Sequence, residues 1–279
     1  MTKRLIINAD DFGLTEDVNR GIIECYSRGA VTDISLFAVG ESYEDAVRLA
    51  KKNGIDKLGV HLALTRSFKP ASPFGKIPSL VEKNGQFPGD YIEFLVKFFA
   101  GRVNGGEIYT ELKNQILKIK KEGFKISHVD GHQHVHMVPG ILKIAVRLMR
   151  EEGIEYIRFP MEKVNLLTKL GEPRNIVRNL SLSFMCGISG RLLESLGAKH
   201  NDFFIGHFHA QSLTRADLFS AIEHLKNGLT ELGCHPGYFT PEMKKRHPRY
   251  KSCEEELNVL CDKSFIEAIK NNSIELVSY

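Results

Sequence analysis

Cysteine is scarce in this chain, and what there is lies scattered. Cys25, Cys186, Cys234, Cys253 and Cys261 are odd in number and share no close spacing, so they describe reduced thiols rather than the disulfide framework of a small secreted protein. No apolar run approaches the ~18–20 residues that a membrane helix needs. The opening Met1-Thr2-Lys3-Arg4 is followed by only Leu5-Ile6-Ile7 before Asn8, too short for a signal-peptide core. Both features predict a cytoplasmic protein. Charge of one sign is also lacking: 38 Lys and Arg against 34 Asp and Glu leave a net +4. The densest basic run, Lys244-Lys245-Arg246-His247-Pro248-Arg249-Tyr250-Lys251, is one short patch, and no nucleic-acid partner is expected. It reads as a solvated loop, with an anionic substrate or a membrane surface as the alternative. Internal repeats, low-complexity linkers and shifts in charge are absent, so the 279 residues, 42% of them apolar, are expected to form one domain over 1–279. No feature fixes an oligomeric state, and a homodimer is compatible with the sequence.

What is present is an alternation of strand-like and helix-like segments. Strands are predicted at 5–9, 32–39, 58–64, 125–131, 154–159, 202–206, 230–234 and 273–277. Between them, Val18, Ile22, Cys25 and Tyr26 keep one helical face behind a Thr15 cap with Glu16 and Asp17 in the first turn. Further helices are expected at 44–52, 91–100, 107–121 and 263–270, around Leu218, Phe219, Ile222 and Leu225, and after Pro139, where Ile141, Ile144, Ala145 and Leu148 share a face. A helical stretch is expected to end near Leu196. Residues 65–90 carry four of the ten prolines and read as an insertion loop. The pattern predicts a parallel α/β fold, a barrel in preference to an open sheet.

The most informative segment is Ser127-His128-Val129-Asp130-Gly131-His132-Gln133-His134-Val135-His136. Four of the eleven histidines fall here at alternate positions, with Asp130 in the remaining slot. In an extended strand these five side chains would share one face. Buried imidazoles need hydrogen-bond partners, whereas a metal or proton-transfer site uses them directly. His132, His134 and His136 are all eligible ligands, and spacing does not choose among them. His128, earliest on the strand, suits packing or support of a neighbour, and Asp130 suits orienting one.

Other polar residues also sit where predicted strands end: Asp10 and Asp11, His61, Arg158, His207 with His209, and His235. In parallel α/β folds those ends gather at one face, where active sites assemble. Two adjacent carboxylates repel unless a cation relieves them, which suggests one as metal ligand and the other as general base; capping the next helix is the alternative. His61, set among Val60, Leu62, Ala63 and Leu64, is either a hydrogen-bonded core residue or a ligand. An Asp/His/His set would leave coordination positions open for water and substrate. His235, rigid before Pro236-Gly237, suits a general acid. Arg158 suits a hydrogen bond to the base or to a developing oxyanion; for both, an exposed loop position is the alternative. His207 and His209 could line a cleft. His200, His224 and His247 read as surface or packing residues.

Leu5-Ile-Ile-Asn-Ala-Asp-Asp-Phe-Gly-Leu-Thr15, Gly59-Val-His-Leu62, His128-Val-Asp-Gly-His-Gln-His-Val-His-Met137 and Cys234-His-Pro-Gly237 together resemble the YdjC-like carbohydrate deacetylases, in order and over nearly the whole chain. The resemblance implies an irregular TIM-like β/α barrel related to the polysaccharide deacetylases, and metal-dependent removal of the acetyl group of an N-acetylated sugar. By position it implies Asp11, His61 and His132 as metal ligands, Asp10 as general base and His235 as general acid. Arg158-Phe159-Pro160 resembles the Arg-x-Pro element of the wider superfamily. Gln133 departs from the Ser-His-His found in many relatives, which removes an imidazole but none of the implied ligands. The resemblance implies one divalent ion, usually Mg2+, although two imidazoles and a carboxylate equally suit Zn2+, Mn2+, Co2+ or Ni2+.

The substrates implied are chitin-type oligosaccharides or acetylated glycolipids of hopanoid type, with residues 65–90 and 161–195 shaping the cleft. Asp130, His134, His136 and His207 would then meet the substrate or support the ligands. Two rival functions share these residues: a metal-dependent phosphoesterase, and a sugar- or metal-binding protein without catalysis.

Overall fold

In the computed structural model, residues 2–162, 173–206 and 213–279 are described. Eight parallel strands form one sheet: β1 Lys3–Phe12, β2 Asp33–Leu36, β3 Lys57–Leu62, β4 Lys125–Gly131, β5 Tyr156–Ile157, β6 Phe203–Ile205, β7 Gly228–Cys234 and β8 Ile274–Leu276. Their spatial order is β5-β4-β3-β2-β1-β7-β6, and the short β8 pairs with the start of β1. Ten helices connect or flank them: α1 Glu16–Ser27, α2 Tyr43–Lys52, α3 Tyr91–Phe99, α4 Gly105–Lys121, α5 Pro139–Glu152, α6 Pro173–Leu196, α7 Arg215–Glu223, α8 Pro241–Arg246, α9 Cys253–Leu260 and α10 Lys263–Asn271. This is the expected parallel α/β order.

The sheet curls into an incompletely closed barrel. β5 and β6 end the hydrogen-bonded path, and the seam between them is bridged by one parallel pairing, Tyr156 with Lys199, and by Asn201, whose side chain accepts from the Phe159 N–H at 2.7 Å. β1 is buried from Leu5 to Phe12, as a strand covered on both faces should be. Its eight-residue apolar-rich centre is paired on one edge with β7 and on the other with β8 and then β2.

Three local features place side chains at the strand ends. The β1–β2 register slips between Ala9 and Phe12, and Asp11 there has φ 65°. This bulge re-aims a side chain that ordinary alternation would send away, so Asp10 and Asp11 both come to 4.0 Å from the His235 ring. Thr15 caps α1, accepting from Val18 N–H at 3.2 Å. Residues 65–90 contain only a 3-10 turn, Phe74–Lys76, and are held by buried acids of α4: Glu111 accepts from the Ala71 and Ser72 N–H groups, both at 2.8 Å.

The histidine-rich segment does not continue as a strand. β4 stops at Gly131, and His132–Met137 winds into a 3-10 turn in which Gln133 and His134 both have φ 54°. With about three residues per turn, alternate side chains diverge, so the expected single row of imidazoles is not formed. His207 and His209 lie outside the described residues, as do residues 163–172 of the second expected cleft segment.

α1 lies against the turn that follows β7 with no room to spare: a Cβ at Gly21 would sit 2.5 Å from Gly237 Cα. Gly21→Ala is therefore expected to destabilise the protein by about 1–3 kcal/mol, the usual range for overpacking against backbone, measured by urea unfolding at neutral pH. A variant as stable as the parent would show that the helix can move away freely.

Candidate metal and catalytic site

Asp11, His61 and His132 converge from β1, β3 and the turn after β4. Asp11 Oδ1 lies 2.9 Å from His132 Nδ1 and 3.3 Å from His61 Nε2, and one donor atom from each residue falls within 4.8 Å of the others. All three are buried. His61 Nδ1 faces Asp130 Oδ1 at 2.9 Å, so its imidazole stands between two carboxylates. Burial pulls the His61 pKa down, but Asp130 and Asp11 carry it well above the usual imidazole value. Burial likewise pushes Asp11 up, and His132 and His61 hold it well below the carboxylate range. With a divalent cation bound, Asp130 would fix the His61 ring with Nε2 facing the ion. The donor set fits a metal with open coordination positions. Tyr250 donates its hydroxyl to Asp11 Oδ2.

Asp10, beside Asp11, is held in a buried ionic cluster. Arg158 Nη1 and Nη2 donate to its two oxygens at 2.6 and 2.7 Å, and Asn8 donates to Oδ1 at 2.7 Å. The same guanidinium donates to Asp130 at 2.9 Å and to Glu231 at 2.7 Å. Burial lowers the Arg158 pKa, but these three carboxylates raise it well above its ordinary value. Arg158 is 0% exposed, and of its two expected partners it meets the Asp10 carboxylate. Glu231 in turn accepts from the Tyr279 hydroxyl at 2.5 Å; burial pushes its carboxyl up to about 7, with Arg158 opposing.

His235 stands across from both aspartates, Nε2 4.0 Å from Asp10 Oδ2 and 4.0 Å from Asp11 Oδ2. Glu256 of α9 accepts from its backbone N–H at 2.7 Å, while the ring Nδ1 has no hydrogen-bond partner among the described residues.

The remaining histidines separate. His136 Nε2 bonds the Arg158 carbonyl at 3.0 Å, and His134 sits edge-on to Phe204 at 5.6 Å between centroids; neither joins the three-residue donor set. His128 bonds Ser35 Oγ at 3.0 Å and Ser127 Oγ at 2.8 Å and stacks on Tyr279 at 4.1 Å, a packing role. Ser35 donates to Asp130 at 2.9 Å, so it links this layer to the His61 carboxylate.

A cavity of about 420 Å3 opens onto His132 and is lined by Arg66, Phe68, Arg246, His247 and Tyr250 among others, a size suited to a small ligand. The basic run, expected as a solvated loop, forms the end of α8 and the turn after it; its lysines and arginines are exposed, and Arg246, His247 and Tyr250 line the cavity wall. His247, expected at the surface or in packing, lines the cavity too, and burial holds its pKa below the usual imidazole value. Glu231, Tyr279 and Ser35 had no local motif to mark them.

The profile of the YdjC-like protein family matches residues 4–271. A carbohydrate deacetylase from Geobacillus stearothermophilus is 29% identical over 280 residues, covering 100% of this chain and 98% of that protein. One from Brevibacillus brevis is 30% identical over 278 residues, covering 99% and 98%. A crystal structure from Enterococcus faecalis V583, whose description names cellobiose-phosphate cleavage, superposes with a TM-score of 0.79 at 26% identity and covers 100% of this chain and 98% of that one.

Two outcomes follow from the buried charges. Arg158→Met would strand three carboxylates without their counter-ion and is expected to cost about 3–5 kcal/mol, measured by urea unfolding. For His128, burial lowers the pKa to about 3, against ~6.5 in an unfolded chain. The unfolded state therefore binds the proton first, so its contribution is fully present above pH ~6.5 and is lost as pH falls towards 3, at up to ~1.4 kcal/mol per pH unit. His128→Gln should flatten the stability–pH curve in that window; an unchanged slope would refute the assignment.

Proposed function

Because the chain belongs to the YdjC-like protein family, we propose that it is a metal-dependent carbohydrate N-deacetylase, a hydrolase that removes the acetyl group from an N-acetylated sugar. The observation that carries this reading is the convergence of Asp11, His61 and His132 on one another with Asp10 and His235 beside them, from positions up to 225 residues apart in sequence. Asp11, His61 and His132 would hold a divalent cation, which would supply Lewis-acid chemistry towards the acetyl carbonyl and a water. Zn2+, Mn2+, Co2+ and Ni2+ suit the donors by softness, and Mg2+ is the ion implied by the family resemblance.

The protein's own groups handle the protons. Asp10, its carboxylate plane fixed by the paired Arg158 bonds, takes the proton of the attacking water. His235, on the opposite wall, delivers a proton from Nε2 to the departing sugar amine. Holding both groups on strand ends removes the entropy of bringing them together. The cavity wall accepts a chitin-type oligosaccharide or the sugar head of an acetylated glycolipid such as an N-acetylglucosaminyl hopanoid. Arg66 and Arg246 make a phosphorylated sugar a further member of the class.

A two-metal phosphoesterase is less well supported. The other His and carboxylate groupings, Asp10 with His61 and Asp130, and His128 with Asp130 and Glu231, surround the Arg158 guanidinium, whose charge occupies the position of a second cation.

The deciding assay is acetate release from neutral and phosphorylated N-acetylglucosamine oligosaccharides and glycolipids, using enzyme stripped of metal and reloaded with single ions. Release that depends on the added ion is expected; none from any substrate, with metal bound, would sink the proposal. Asp10→Asn and His235→Ala are each expected to lower kcat by ~10²–10⁴ while metal affinity is retained. Either variant turning over at the parental rate would remove that residue from its role.

A further inference from the structure

Cys25 and Cys261, 236 positions apart in sequence, lie with their sulfurs 3.6 Å from one another. Cys25 is buried on the inner face of α1, and Cys261 closes the C-terminal end of α9 with part of its side chain at the surface. We propose that this pair is a thiol-oxidation site, forming an intramolecular disulfide on reaction with a low-molecular-weight disulfide.

The chemistry is asymmetric. Cys261 is the exposed partner, and the Cys25 S–H, followed by the Arg28 guanidinium, holds its thiol below the ordinary cysteine value. The hydrogen bond to Cys261 and burial raise Cys25. Cys261 thiolate attacks one sulfur of the small disulfide, forming a mixed disulfide and releasing the first small thiolate. Cys25 then attacks Cys261 Sγ and expels the second. The two protein thiols are oxidised, the small disulfide is reduced to two thiols, and the two protons pass from the cysteines to those products. The sulfurs must close from 3.6 Å to the ~2.05 Å of a bond, a shift within reach of side-chain rotation.

The bond would fall where the fold can use it. α1 and α9 grip the His235 turn from two sides. Asp17 accepts from the Tyr238 N–H at 3.3 Å and from the Thr240 hydroxyl at 2.5 Å, and Tyr238 donates its hydroxyl to Glu24. From α9, Glu256 takes the His235 N–H at 2.7 Å and the Cys253 carbonyl takes the Gly237 N–H at 3.1 Å. A Cys25–Cys261 bond joins those two elements covalently, closing a loop of more than two hundred residues, the length class in which cross-links stabilise most.

The test uses the full chain and does not depend on its catalytic activity. The protein is incubated with oxidised glutathione, denatured, alkylated and mapped by mass spectrometry. Alkylatable thiols should fall from five to three, with one Cys25–Cys261 cross-linked peptide. Tm should rise by about 5 °C or more and return on reduction. In Cys25→Ser a glutathione adduct should persist on Cys261, and in Cys261→Ser Cys25 should stay unmodified. Five remaining thiols, a stable glutathione adduct on wild-type Cys261, a cross-link through another cysteine, or a cross-linked protein with unchanged Tm would each overturn the proposal.

Discussion

Arg158 has no contact with solvent, and a guanidinium in that position persists only because Asp10, Asp130 and Glu231 surround it at 2.6–2.9 Å. Desolvating one such ion costs several kcal/mol even after relaxation, so the cluster is tolerable only if every partner is correctly placed. Each partner also reaches a different part of the molecule. Asp10 faces His235, Asp130 orients His61, and Glu231 binds the Tyr279 hydroxyl. The geometry of the proposed base and of one proposed metal ligand is therefore set by a single buried charge. Tyr279 works from the other end of the barrel, near the strand starts, where its backbone N–H meets Asp33 and its ring covers His128. Two routes thus join that end to the cavity: Tyr279–Glu231–Arg158–Asp10, and His128–Ser35–Asp130–His61.

The residues at the cavity were legible because parallel α/β topology gathers strand C-termini, and polar residues at predicted strand ends stood out against apolar runs. Asp10, Asp11, His61 and His235 could be named from that rule alone. The choice of His132 could not, since alternate spacing fits a strand and the real backbone turns at Gly131. What places His132 beside Asp11 is that turn, and a local sequence pattern does not encode φ. Glu231 and Tyr279 were invisible for another reason: their meaning lies wholly in partners far away in sequence, so neither shows a motif. The basic run at 244–251 keeps Lys244, Lys245, Arg246, Arg249 and Lys251 exposed, as its charge density argues, but charge density alone does not show that Arg246 and His247 also face the cavity. Pro241 and Pro248 start two short helical turns there, and buried Met243 and Tyr250 pull the segment onto the cavity.

Backbone strain is distributed in a way that supports the same centre. Six non-glycine residues have positive φ among those described: Asp11, Arg66, Ser67, Gln133, His134 and Ser273. Asp11 is in the donor set, Arg66 and Ser67 line the cavity, and Gln133 and His134 follow His132 directly. Such conformations cost about 1–3 kcal/mol each and survive where surrounding contacts over-determine them. The contacts are present. The Asp11 carbonyl accepts from Leu14 N–H at 2.9 Å while its carboxylate meets His132, His61 and Tyr250. Gln133 accepts from the Thr65 hydroxyl at 2.8 Å, which ties the two strained segments on either side of the cavity to each other. Strain gathered around one cavity, and held there by bonds to the donor set, marks a geometry the fold maintains against its local preferences. The five positions are therefore best understood as one device that keeps Asp11 and His132 within hydrogen-bond reach of each other.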